Sequence, residues 1–98
     1  MARYPDPHAR LGLALTNMSG GELIESRQTP WASATFSGAR HQFIFLLPES
    51  GHAAPLGALN EREFELPGHV LADIELLDCS GHPDCRRVTI DALTVEDV

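Results

Sequence analysis

Cys79-x-x-His82-x-x-Cys85 is the run of side chains in this sequence that most directly suggests chemistry. Two thiolates and an imidazole at that spacing can converge in a curled loop, and all three are ligand types that zinc accepts. A structural zinc needs a fourth ligand. Asp78 or Asp84 would be strained in that role, His69 lies well back along the chain, and no second Cys or His pair completes the set. The same residues fit a plain hairpin loop with a cysteine on each side of its base, so no cofactor is expected. Opposed cysteines with Cα atoms near ~5.5 Å could form a disulfide, whereas in a reducing cytosol free thiols are the commoner state.

Two further groups have suitable types. In Arg40-His41 an arginine could hold an anion and a histidine could exchange protons near neutral pH. Asp73 and Asp91 come opposite each other if the strands around them pair as described below. Like charges so placed raise a pKa, bind a cation or point into water, and paired carboxylates also serve general acid–base catalysis. A small-ligand pocket or an enzyme site in this chain would therefore draw on Arg40, His41, Asp73 and Asp91. The plainer reading is a wet strand face for the carboxylates and a half-buried core histidine for His41. No glycine-rich phosphate loop, Gly-x-Ser-x-Gly elbow or His-Glu-x-x-His motif is present, so nothing positive points to catalysis.

These residues need elements to position them. Val70, Ala72, Ile74 and Leu76 alternate with Leu71, Asp73, Glu75 and Leu77, and Val88, Ile90 and Ala92 repeat the pattern after a turn-rich loop. A period of two on both arms predicts a long β-hairpin over Val70–Val95. With Cys79 opposite Cys85, the ladder runs Leu76–Val88, Ile74–Ile90, Asp73–Asp91 and Ala72–Ala92, apolar against apolar on one face. Upstream, Asp6 can cap a helix that Pro7 begins, and Leu11, Ala14, Leu15 and Met18 share a face before Ser19-Gly20-Gly21 ends it. The alternation of Leu11, Leu13 and Leu15 would also suit a short strand, but the start and stop signals favour the helix.

Glu22 to Gln28 reads as a strand that Thr29-Pro30 bends or breaks, placing it at an edge or a bulge. Trp31–Ser37 and Arg40–Leu47 then pair across Gly38-Ala39, a glycine-first pattern for a type II′ turn. That register gives one face Ala32, Ala34, Phe36, His41, Phe43 and Phe45, and the other Trp31, Ser33, Thr35, Arg40, Gln42, Ile44 and Leu46. A second short helix is expected around Pro55–Arg62 with Leu56 and Leu59 inward, although Gly57 weakens it. Pro67-Gly68 is a turn dipeptide leading into the second hairpin.

The resulting order is αββαββ. It predicts a single α+β domain over residues 1–98 with a loose arm at 1–6, and one four-stranded, mostly antiparallel sheet with both helices on one face. This is the order of a ferredoxin-like sandwich whose first strand has moved to the end. Ninety-eight residues suit one modest core. The balance of 14 acidic against 7 basic residues gives a formal net charge of −7, which repels nucleic acid and anionic membrane surfaces alike. No apolar secretory region opens the chain and no apolar run approaches a bilayer span, so a cytoplasmic location is the default.

The stretches Trp31-Ala-Ser-Ala-Thr-Phe-Ser-Gly-Ala-Arg-His41 and Leu66-Pro-Gly-His-Val-Leu-Ala-Asp-Ile74 resemble small uncharacterised proteins of alphaproteobacterial type. The resemblance covers most of the chain after Ser26. It implies a bacterial origin and carries over no activity, partner or site.

Two short helices can cover only one side of such a sheet. Trp31, Ile44, Leu46, Leu71, Leu77, Leu93 and Val95 fall on the other side, and a contiguous apolar patch usually marks a partner. The expected function is accordingly a small soluble binding or interaction module, homodimeric through the second sheet face, with no nucleic-acid or membrane partner.

Overall fold

The computed structural model describes residues 6–47, 59, 63–80 and 87–96. Its elements are α1 (Pro7–Ser19), β1 (Glu22–Ala32), β2 (Ser37–Leu46), β3 (His69–Ser80) and β4 (Arg87–Glu96). The four strands form one antiparallel sheet in the order β1-β2-β4-β3, so the two hairpins join through the β2–β4 pair. The α+β class holds. The expected helix over Pro55–Arg62 falls outside the described residues apart from Leu59, as do residues 1–5 of the arm expected over 1–6; Asp6 belongs to the cap of α1.

Local signals account for α1. Asp6 takes the extended N-cap conformation, and its Oδ1 accepts from the His8 amide at 3.0 Å. Pro7 follows at the position where a missing N–H costs nothing. At the other end Gly20 adopts φ 71° and donates its N–H to the Thr16 carbonyl at 2.9 Å, a conformation that a side chain would resist. The helix turns Leu11, Gly12, Leu15 and Ser19 inward. Gly12 lets the helix axis approach β2, since a Cβ there would sit 3.3 Å from the Phe43 ring.

The core lies on one face of the sheet. Leu11 and Leu15 from α1 meet Phe43, Phe45, Ile74, Val88, Ile90 and Ala92 from the strands, and Leu47, Leu59 and Leu66 close it. Burying each large aliphatic or aromatic group stabilises the fold by about 1.5–3 kcal/mol, so this single layer supplies most of the drive to fold. Leu59 belongs to the same cluster, which puts that part of the β2–β3 connection on the helix side of the sheet.

The first hairpin turns earlier than the sequence predicts. Ala32 pairs with Ser37, Thr29 with Arg40 and Gln28 with His41, so residues 33–36 make the turn and Gly38-Ala39 lie inside β2. Ser33 explains the choice. Its hydroxyl accepts from the Phe36 amide at 3.0 Å, and its own N–H reaches the Phe36 carbonyl at 2.7 Å, satisfying the turn locally. Gly38 has a different duty from the expected one: a Cβ there would collide with the Thr94 carbonyl oxygen, so only glycine permits this β2–β4 approach. Phe36 consequently leaves the expected core face and sits 54% exposed in the turn. The slip is even-numbered, so His41, Phe43 and Phe45 still face inward. Pro30 does not break β1; the irregularity falls instead between Leu23 and Glu25.

The second hairpin is also displaced. Ile74 pairs with Ala92 and Leu76 with Ile90, two residues from the expected ladder, with register shifts between Leu71 and Asp73 and between Leu76 and Asp78. The first shift lets Leu71 join the core while Val70 is 51% exposed, reversing their expected sides. Leu77, the extra residue of the second, is 50% exposed. Cys79 pairs with Val88 along the backbone and not with Cys85.

Candidate functional site

The helix side of the sheet holds a polar group that the apolar pattern conceals. His41 on β2 is fully buried and lies against His8 of α1, their Nδ1 atoms 2.9 Å apart. Its other nitrogen, Nε2, is 2.8 Å from Oγ1 of the fully buried Thr94 on β4. The Thr94 hydroxyl in turn points at the Ala39 carbonyl, 3.5 Å away. With that hydroxyl donating to Ala39, His41 donates from Nε2 to Thr94 and accepts at Nδ1 from the Nδ1–H of His8. Every buried polar atom is thereby used, and among the described residues none is left without a partner.

Stacking fixes the geometry. The His8 ring lies 4.7 Å from the Phe43 ring at 20° and 5.1 Å from the His41 ring at 23°. The His41 pKa lies at about 4, lowered chiefly by burial and also by the neighbouring His8 and His69, with Asp6 opposing the shift. Burial likewise lowers His8, against the raising influence of Asp6. Both imidazoles are therefore neutral at pH 7. The chain of bonds ties the N-terminus of α1 to β2 and β4. Thr94 is sealed from solvent, so no substrate reaches its hydroxyl, and the arrangement is a clamp in which no nucleophile is on offer.

Sequence reasoning placed His41 on the core face beside Phe43, but its other expected neighbours, Ala34 and Phe36, lie in the turn, and it missed His8 and Thr94. A usable signal existed: His8 precedes Leu11 by three positions and Leu15 by seven, so it shares the buried helix face.

Of the four residues expected to line a ligand pocket, Arg40, His41 and Asp91 border one shallow recess and Asp73 does not. Arg40 and His41 are consecutive in a strand and point to opposite faces, Arg40 into solvent and His41 into the core. Asp91 pairs with Glu75, not with Asp73, and Asp73 pairs with Leu93. Arg40, Asp73 and Asp91 do share the face opposite the helix. That recess, of about 160 Å³, is bordered by Arg27, Thr29, Arg40, His41, Gln42 and Asp91, although the His41 ring itself faces the core. Of the Cys-His-Cys set, His82 and Cys85 lie outside the described residues. Among the described residues no group of three or more His, Cys, Asp or Glu side chains could hold a metal ion.

The outer face reads as a grid once the pairings are laid side by side. From β1 to β3 its rows are Trp31–Gly38–Val95–Val70, then Thr29–Arg40–Leu93–Asp73, then Arg27–Gln42–Asp91–Glu75. Next come Glu25–Ile44–Thr89 and Glu22–Leu46–Arg87. In the two middle rows the arginines lie on the β1–β2 half and the carboxylates on the β4–β3 half. Among the described residues, none of these charged side chains has an ion-pair partner in its own chain.

No protein-family model, curated protein or solved structure matches this chain. The site is therefore read from its own chemistry. Among the described residues no helix is long and apolar enough to cross a membrane.

Proposed function

We propose that this protein is a small interaction module that self-associates through the outer face of its sheet. The observation that carries this reading is the one-sided core. Every described element outside the sheet packs on the helix side, Leu59 included, while Ile44, Leu93 and Val95 on the other side remain only half-buried and Leu46 is 37% exposed. These apolar side chains lie toward both ends of the face with the polar row Arg27–Gln42–Asp91–Glu75 between them, a mixed surface of the kind that a partner covers.

Size supports the reading. A face of four strands some ten residues long spans about 19 by 33 Å from strand spacing and rise. Two such faces in contact bury roughly 1,200 Å², at the lower end of stable interfaces. The edges favour pairing by faces over pairing by strand addition, because β1 carries Pro30 and an irregularity and β3 has two register shifts. The strand order also suits a ferredoxin-like sandwich with its first strand moved to the end, a relationship of fold and not of function, which requires a second helix between β2 and β3.

Sedimentation equilibrium at tens of micromolar tests the proposal. The wild-type chain should have the mass of a pair of 10.7 kDa chains. Ile44→Arg, which puts a charge at the centre of the face, should sediment as a single folded chain. A wild-type protein that stays single-chain throughout removes the reading.

A further inference from the structure

Building on self-association through the outer face, we infer that two copies of this chain pack about a two-fold axis running parallel to the strands, between β2 and β4. The segregation of charge selects this axis. Rotation about it lays the β1–β2 half of one copy over the β4–β3 half of the other. Arg27 then faces the partner's Glu75, Gln42 faces the partner's Asp91, and Thr29 faces the partner's Asp73, from the observed pairings. Arg40 comes between the partner's Asp73 and Asp91. At the end of the sheet Trp31 covers the partner's Val70, which is 51% exposed in the single chain.

The alternative axis, in the plane of the sheet but across the strands, superposes each strand on its own copy. Through the Arg27 row it would set Arg27 against Arg27 and Asp91 against Asp91, and between the two charged rows it would set Asp73 against Glu75. Juxtaposing like charges in an interface is strongly unfavourable, so that arrangement loses. Both axes leave the strands of the two sheets aligned, the common geometry for two twisted sheets face to face, so the charges alone choose between them. The partner is thus a second copy of this chain, because its own face supplies the complementary charges that the single chain leaves unpaired.

Charge reversal tests the axis. Arg27→Glu with Arg40→Glu places acid against acid in both halves of the pair, and dimer dissociation should rise about a hundredfold or more. Adding Glu75→Arg and Asp91→Arg to the same chain exchanges the signs at these contacts except the one to Asp73, and the quadruple variant should return to within about tenfold of wild type. Circular dichroism confirms that each variant stays folded, as these are surface side chains. An Arg27→Glu/Arg40→Glu variant that dimerises as tightly as wild type overturns this axis while leaving self-association standing. A double variant that is monomeric and not rescued by the quadruple change overturns it too. A monomeric wild type instead overturns the reading on which it rests.

Discussion

Phe43→Ala should remove about 3–5 kcal/mol of stability, the upper range for emptying a core aromatic site. Phe43 is fully buried at the contact between α1 and β2. Its ring stacks on His8 at 4.7 Å, lies 6.3 Å from the rings of both His41 and Phe45, and bounds the space that Gly12 leaves open. Truncation takes away the aromatic surface and the platform that holds His8 against His41, so the helix loses two of its ties to the sheet at once. A domain of this size has a total stability of about 5–15 kcal/mol, so the variant should give up a large share of it and unfold at distinctly lower urea. Urea denaturation gives the comparison, with Phe43→Leu retaining most of the stability because it refills the volume. A loss below about 1 kcal/mol for the alanine variant would mean that α1 does not pack on β2 in this way.

Acid should destabilise the fold through the histidine clamp. His41 has its pKa lowered in the folded protein to about 4, from 6.5 for an unburied imidazole. Above pH 6.5 neither state binds the proton and the clamp contributes in full. As pH falls below 6.5 the unfolded chain takes up a proton that the folded chain refuses, and stability declines by about 1.4 kcal/mol per pH unit. The loss reaches roughly 3 kcal/mol near pH 4 and then levels off for this group. His8, also lowered, adds to the loss in the same direction. Asp6 faces the pair and opposes the shift, while His69 reinforces it. Urea midpoints between pH 7 and 4 should fall more steeply for wild type than for His41→Gln, which cannot titrate. Parallel curves for the two proteins would remove the clamp as the cause.

The strands and α1 were legible in the sequence because their signals are local. Asp6, Pro7 and Gly20 act on backbone groups within a few residues, and the alternation around Phe43 and Ile90 needs only a side-chain period. The turn of the first hairpin was not legible in the same way. Gly38 looks like a turn glycine, yet its lack of a Cβ is used against Thr94, a residue more than fifty positions away. The two register shifts of β3 left a trace in the apolar doublets Val70-Leu71 and Leu76-Leu77, which break a strict alternation. Strand-internal pairing then moved Asp91 from Asp73 to Glu75. Arg40 and His41 were grouped as neighbours in sequence, although consecutive strand residues point to opposite faces. The His8–His41 bond joins a helix to a strand it meets only in the folded chain, so spacing alone could suggest the face of His8 but not its partner.

The most direct test of self-association through the outer face is an isotope-filtered nuclear Overhauser measurement on a mixture of labelled and unlabelled chains. Intermolecular contacts should connect the Ile44 methyl groups to the partner's Thr89 methyl and the Trp31 ring protons to the partner's Val70 methyl groups, the pairs that lie over each other. The exposed Leu13 on α1 should show none. Intermolecular contacts confined to the helix side, or their absence from a folded protein at millimolar concentration, would contradict it.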